Sequence, residues 1–277
     1  MLGKLIKYEI KATAKFYILI YGLVLFFALL ARIFFSVEAF ANSNSGVGQT
    51  IQVMAFVMFA SLYLMMVIAM YVATTIIVVT RFYRNLFTGE GYLMFTLPVK
   101  PWQHLVTKMA VPAIWLVGNF LVMFLSIAIM LSHKVVWDNF QIGWEMLTVV
   151  MRESGINFTP FVLEFIVIMV LGLIAYGLPM YACICVGQLF GKHRILGAFL
   201  AYLGLNVISQ VIGQVVSSLI RVNAESMGRA VEHADSVAEM LPFLHGTFIV
   251  SIGLSLMFST VYFLVCNHIM EKKLNLE

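Results

Sequence analysis

The sequence predicts an all-α integral membrane protein that crosses the bilayer six times, with an amphipathic interfacial helix at its start and both termini cytoplasmic. Three observations carry this prediction. Of the 277 residues, 62% are hydrophobic and only 11% are charged, whereas a soluble domain carries about 25% charged residues because its surface faces water. The mean hydropathy of +0.99 is too high for one soluble core to hide, so lipid must act as solvent. Apolar runs recur six times, near or above the ~20 residues a helix needs to cross the hydrocarbon core.

In order, the expected elements are an interfacial helix at 2–15 and spans at about 16–37, 51–80, 109–132, 161–190, 195–220 and 246–267. The runs fill the chain, so residues 1–277 read as a single transmembrane domain. A cytoplasmic loop at 81–108 and outer loops at 133–160 and 221–244 connect the spans. Arg32 interrupts the first run near its end, where a long cationic side chain can snorkel to the interface. One side of this topology holds twelve of the seventeen Lys and Arg residues, and the other holds nine of the thirteen acids. Basic connections stay inside, which puts both termini in the cytoplasm.

Within the first segment Lys4, Lys7, Lys11 and Lys15 recur every three or four residues and share one helical face. That face suits a helix lying among anionic headgroups; a solvated basic start is the alternative. The outer loop at 133–160 contains Trp137, Phe140 and Trp144, the content of a short helix on the membrane surface with Trp at headgroup level. In the loop at 221–244, Glu225, Glu232, Asp235 and Glu239 make an acidic helical face with His233 nearby. It lacks any familiar metal-ligand spacing and reads as solvated. Cys183, Cys185 and Cys266 all fall in apolar runs and read as small buried hydrophobes.

Chemistry is sparse. The ionisable residues near the spans are Arg32, Glu164 and Arg221, all at outer ends, and no H-E-x-x-H motif or hydroxyl with a base at helical spacing occurs. Proton-coupled carriers place Asp, Glu or His at mid-membrane, and these spans do not. The nearest approach to a phosphate-binding loop is Gly187 to His193, which has three residues between its glycines and no Ser or Thr after Lys192. The chain is therefore expected to be no enzyme, with no catalytic residue, no metal site, no cofactor of its own and no nucleic-acid partner.

The most informative segment is RFYRNLFTGEGYLMFTLPVKPWQHLVTK, Arg81 to Lys108. Antiparallel helices need about 2–8 connecting residues, so this loop is far over length. Phe82, Tyr83, Leu86, Phe87, Tyr92, Leu93, Met94, Phe95 and Leu97 make it apolar, Gly89 and Gly91 mark a turn, and Pro101 is placed to open the next helix. An aromatic element of this kind either docks a partner or dips into lipid. Together with MLGKLIKYEIKATAK at the start, the segment resembles bacterial ABC-2 type permease subunits of the short six-helix form. The resemblance implies a coupling helix over roughly Arg81 to Phe95. Tyr83, Arg84, Asn85, Leu86, Phe87, Thr88, Gly89, Glu90, Gly91, Tyr92, Leu93, Met94 and Phe95 would then dock a separate ATPase, which would supply ATP and Mg2+. It also implies a second permease subunit, homo- or heterodimeric, and residence in a bacterial plasma membrane.

In the fifth span Asn206, Ser209, Gln210, Gly213, Gln214 and Ser217 share one stripe. Three amides are costly against lipid, so the stripe must face protein or water. It lines a translocation path, joins protomers, or packs within one subunit. Ser251, Ser255 and Ser259 in the sixth span suit close helix packing, and Pro179 is expected to kink the fourth. A permease subunit exporting a hydrophobic or amphipathic substrate fits best. A stand-alone carrier or channel, and a membrane anchor or assembly subunit, are the alternatives.

Overall fold

A computed structural model of the chain describes residues 2–36, 46–89, 91, 100–132, 134–153, 159–231 and 241–272. Every regular element among the described residues is helical. The helices are α1 (Leu2–Ser36), α2 (Gly46–Phe87), α3 (Pro101–Leu131), α4 (Lys134–Glu153), α5 (Thr159–Ala175), α6 (Leu178–Gly187), α7 (Arg194–Val231) and α8 (Leu241–Lys272), with a 3₁₀ turn at Gly191–His193 before α7. Six helical stretches are long and apolar enough to cross a membrane, the fourth made of α5 and α6 together. The number of spans expected from the charge-free runs is thus met, and the chain is built as a multi-pass membrane protein.

Local sequence explains where several helices begin and end. Pro101, Pro160 and Pro242 occupy first turns, where a missing N–H costs no helical bond. The expected disturbance at Pro179 is a full interruption: Tyr176 and Gly177 form a turn, and Pro179 enters the first turn of α6. A separate interfacial helix at 2–15 does not appear. α1 runs unbroken through that boundary, because no Gly or Pro between Lys11 and Tyr21 interrupts the backbone ladder. Lys4, Lys7, Lys11 and Lys15 are all exposed along it. The helix expected in 133–160 is present as α4, with the rings of Trp137 and Phe140 5.8 Å apart and those of Phe140 and Trp144 6.3 Å apart along one face. Glu225 lies within α7, while Glu232, His233, Asp235 and Glu239 fall outside the described residues.

The helices divide into two compact units. The α1 unit takes Gly3–Ile77 and Ile114–Thr148, and the α6 unit draws on Val78–Ala113 and Val149–Glu277.

In the α1 unit, polar side chains join α1, α2 and α3. Trp115 stacks on Tyr17 with centroids 4.1 Å apart and planes 4° from parallel. Its indole N–H donates to Thr13 Oγ1 at 2.8 Å, and Tyr21 donates to the Trp115 carbonyl at 2.9 Å. Asn119 Nδ2 donates to Thr74 Oγ1 at 3.0 Å, and the Tyr63 and Ser126 hydroxyls meet at 2.7 Å. Trp115, Asn119 and Ser126 lie four and seven residues apart, so a single face of α3 makes all three connections. Val24, Ala28, Tyr63 and Met70 form the apolar cluster beside this seam.

In the α6 unit, α6 packs against both α7 and α8, and α5 packs against α8. Its core gathers Phe82 and Leu86 from α2, Leu105 from α3, Tyr181 and Cys185 from α6, and Cys266 from α8, all fully buried. Small residues allow the tightest approach. A Cβ on Gly187 would stand 2.6 Å from the backbone nitrogen of Ala198, and one on Gly197 would stand 2.6 Å from the Phe190 ring.

Candidate functional site

The end of the α6 unit that carries the last turns of α2 and the first turns of α3 holds most of the residues expected to dock a partner. Phe82 stacks on Tyr181 at 3.9 Å, and Phe87 tilts against Phe82 at 5.7 Å. Leu86 and Phe87 are buried as well. The expectation of an exposed aromatic element is therefore corrected at these positions. α2 continues to Phe87, and helical spacing turns Phe82 and Leu86 together onto the core.

A second arrangement fixes this end. Pro112 sits inside α3 and has no N–H to give the carbonyl of Lys108, four residues earlier. Tyr181 supplies the missing donor, its hydroxyl reaching the Lys108 carbonyl at 2.8 Å. The Lys108 ammonium, although buried, donates at 2.9 Å to Asn85 Oδ1 in the amide orientation that satisfies both ends of Asn85, whose Nδ2 then donates to the Arg81 carbonyl at 3.2 Å. α2, α3 and α6 are thus tied at one place by an aromatic stack and two hydrogen bonds between helices.

Tyr83, Arg84, Thr88 and Gly89 remain at least partly accessible on this platform, and Arg84 and Gly89 are exposed. Thr88 caps back onto the Arg84 carbonyl, and Gly91, which is buried, donates to the Thr88 carbonyl at 2.7 Å. Asn85 is half-buried in the Lys108 linkage. Glu90 and Tyr92, Leu93, Met94 and Phe95 fall outside the described residues.

The polar stripe of the fifth span divides. Asn206 and Ser209 turn back onto their own helix, donating to the carbonyls of Tyr202 at 2.8 Å and Leu205 at 2.7 Å. Gln210 and Gln214 are exposed among apolar neighbours such as Val207, Val211 and Val215, and Gly213 is half-buried. Ser217 lies in α7, and its side chain is outside the described residues. Among the described residues, both glutamines are left exposed.

Near the starts of α5 and α8, Glu164 Oε1 contacts His245 Nδ1, and Phe161 sets its ring edge-on to the same His at 6.1 Å. Glu164 Oε2 is buried without a hydrogen-bond partner. Sequence reasoning singled out Glu164 but not His245, because no periodicity links residues 81 positions apart. Among the described residues no group of three or more His, Cys, Asp or Glu side chains could hold a metal ion.

What these features define is a class: a six-span helical membrane protein with a tied platform at one end and uncovered amides on α7. The chain matches no protein-family model, no curated protein and no solved structure.

Proposed function

We propose that the chain is the permease subunit of an ATP-binding cassette transporter of the ABC-2 type. In this reading it exports a hydrophobic or amphipathic substrate, with ATP and Mg2+ handled by a separate ATPase and a second permease subunit completing the path. The observation that supports it best is the platform at the end of α2. A coupling element must pass on force without yielding, and here α2, α3 and α6 are joined through Phe82, Tyr181, Lys108 and Asn85. The platform leaves Tyr83, Arg84, Thr88 and Gly89 for a partner, on the side where basic residues predict the cytoplasm. The exposed Gln210 and Gln214 add support, since amides are costly against lipid and favour a protein or water neighbour.

The test is co-purification with a candidate ATP-binding cassette ATPase co-expressed with this chain. Arg84→Glu combined with Tyr83→Ala is expected to abolish capture while the purified permease keeps its melting temperature. Undiminished capture by the double variant would sink the docking assignment.

A further inference from the structure

Two grooves of similar size open in the α6 unit, about 710 Å³ beside the 3₁₀ turn and about 630 Å³ between α6 and α8. Their chemistry differs. The second is lined by Glu271, which accepts a hydrogen bond from Asn267 at 3.1 Å, so an anion would meet a carboxylate there. The first is lined by Tyr83, His193, Arg194, Ile195, Leu196 and Phe199, with no acid among its described lining residues. We infer that this first groove binds an anionic phospholipid, with His193 and Arg194 holding the phosphate and Ile195, Leu196 and Phe199 lying along an acyl chain.

Three observations carry the assignment. A guanidinium presents a planar fork of donors that matches phosphate oxygens, and the Tyr83 side chain lines the same groove and can add a hydroxyl donor. The apolar wall is open: Ile195 is 79% exposed, and Leu196 and Phe199 are 60% exposed. These side chains would be unfavourable in water and are at ease against an acyl chain. Finally, the Arg194 cation sits where an apolar stretch begins, since Arg194–Val216 is one of the six segments able to cross the membrane. A headgroup and the top of its chain occupy that same boundary, and basic pockets between spans are suited to hold lipid headgroups. The groove is also held in shape. Gly187 and Gly197 let the end of α6, Phe190 and the start of α7 approach closely, and His193 N–H donates to the Phe190 carbonyl at 3.2 Å. A soluble phosphate ester would use His193 and Arg194 and leave the apolar wall bare, which is why the lipid is favoured. The inference depends on the membrane setting and not on the transporter reading.

The test uses the full chain in nanodiscs of mixed phosphatidylcholine and phosphatidylglycerol, with retained lipid counted by native mass spectrometry. The wild type is expected to retain phosphatidylglycerol preferentially. His193→Gln with Arg194→Gln should lower that preference about fivefold, the factor one interfacial cation confers, with an unchanged melting temperature. Arg194→Lys, which keeps the charge, should retain most of the preference. An equal preference in the double variant would overturn the site. Displacement of the lipid by equimolar glycerol 1-phosphate would reassign the groove to a soluble phosphate ester and overturn the lipid.

Discussion

The α1 unit and the α6 unit face the same difficulty and meet it by different means. Lipid tails are as apolar as leucine, so hydrophobic burial does little to bring spans together, and packing or polar contacts must do it. In the α1 unit polar groups meet across helices: indole to threonine, amide to threonine, hydroxyl to hydroxyl. In the α6 unit the helices come close because glycines permit it, and aromatic rings fill the remaining space. One hydrogen bond there repairs the backbone, where Tyr181 completes the carbonyl that Pro112 leaves behind. Polar pairs fix the register of two helices along their length. Close packing leaves register to shape, and among the described residues it leaves much of α7 exposed.

Substitutions can break or sharpen this contrast. The largest effect is expected for Trp115→Ala, which removes both the Tyr17 stack and the Thr13 bond and should cost about 3–5 kcal/mol. Trp115→Phe keeps a ring and should cost only about 0.6 kcal/mol, the mean for an interhelical hydrogen bond in a bilayer. Thermal melting in detergent distinguishes the two, and equal losses would mean that the stack contributes nothing.

Next comes Gly187→Val. Its side chain meets the Ala198 backbone and cannot be relieved by a rotamer change, so overpacking of about 1–3 kcal/mol is expected. An unchanged melting temperature would show that α6 and α7 approach less closely than described. Tyr181→Phe should cost about 1–3 kcal/mol by orphaning the Lys108 carbonyl. Most of that loss should vanish in a Pro112→Ala background, where the helix regains its own N–H; additive effects in this double-mutant cycle would disprove the repair. Asn119→Leu should have the smallest effect, about 0.6 kcal/mol, because only one interhelical bond is lost. A loss several times larger would show that the polar seam acts as a cooperative network.

The sequence made the spans legible because charge is so costly in lipid that its absence over 20 or more residues has few other meanings. Pro101 and the Trp137, Phe140 and Trp144 spacing were equally plain, since each is a local signal. The fate of Phe82 and Leu86 was not. An apolar residue near a helix end looks the same whether it docks a partner or fills a core, and only the arrival of Tyr181 from 99 residues away decides it. Comparable separations in sequence hid the pairing of Thr13 with Trp115 and of Glu164 with His245. The lysine face at the N-terminus was visible, but periodicity reports a face and not a break, so it said nothing about where that helix would stop. For the candidate site, Arg84 and Gly89 are exposed beside the core-facing Phe82 and Leu86. The Asn85 to Lys108 bond that holds the platform carried no sequence signal at all.

A rod cut at two residues bends at the cut. The fourth span is such a rod, because Tyr176 and Gly177 interrupt the ladder of backbone bonds between α5 and α6. Among the described residues α6 packs against both α7 and α8, while α5 packs against α8. A load applied where α6 ends is therefore absorbed at the joint, and stiffness to carry it further can come from α8, a continuous helix that touches both halves.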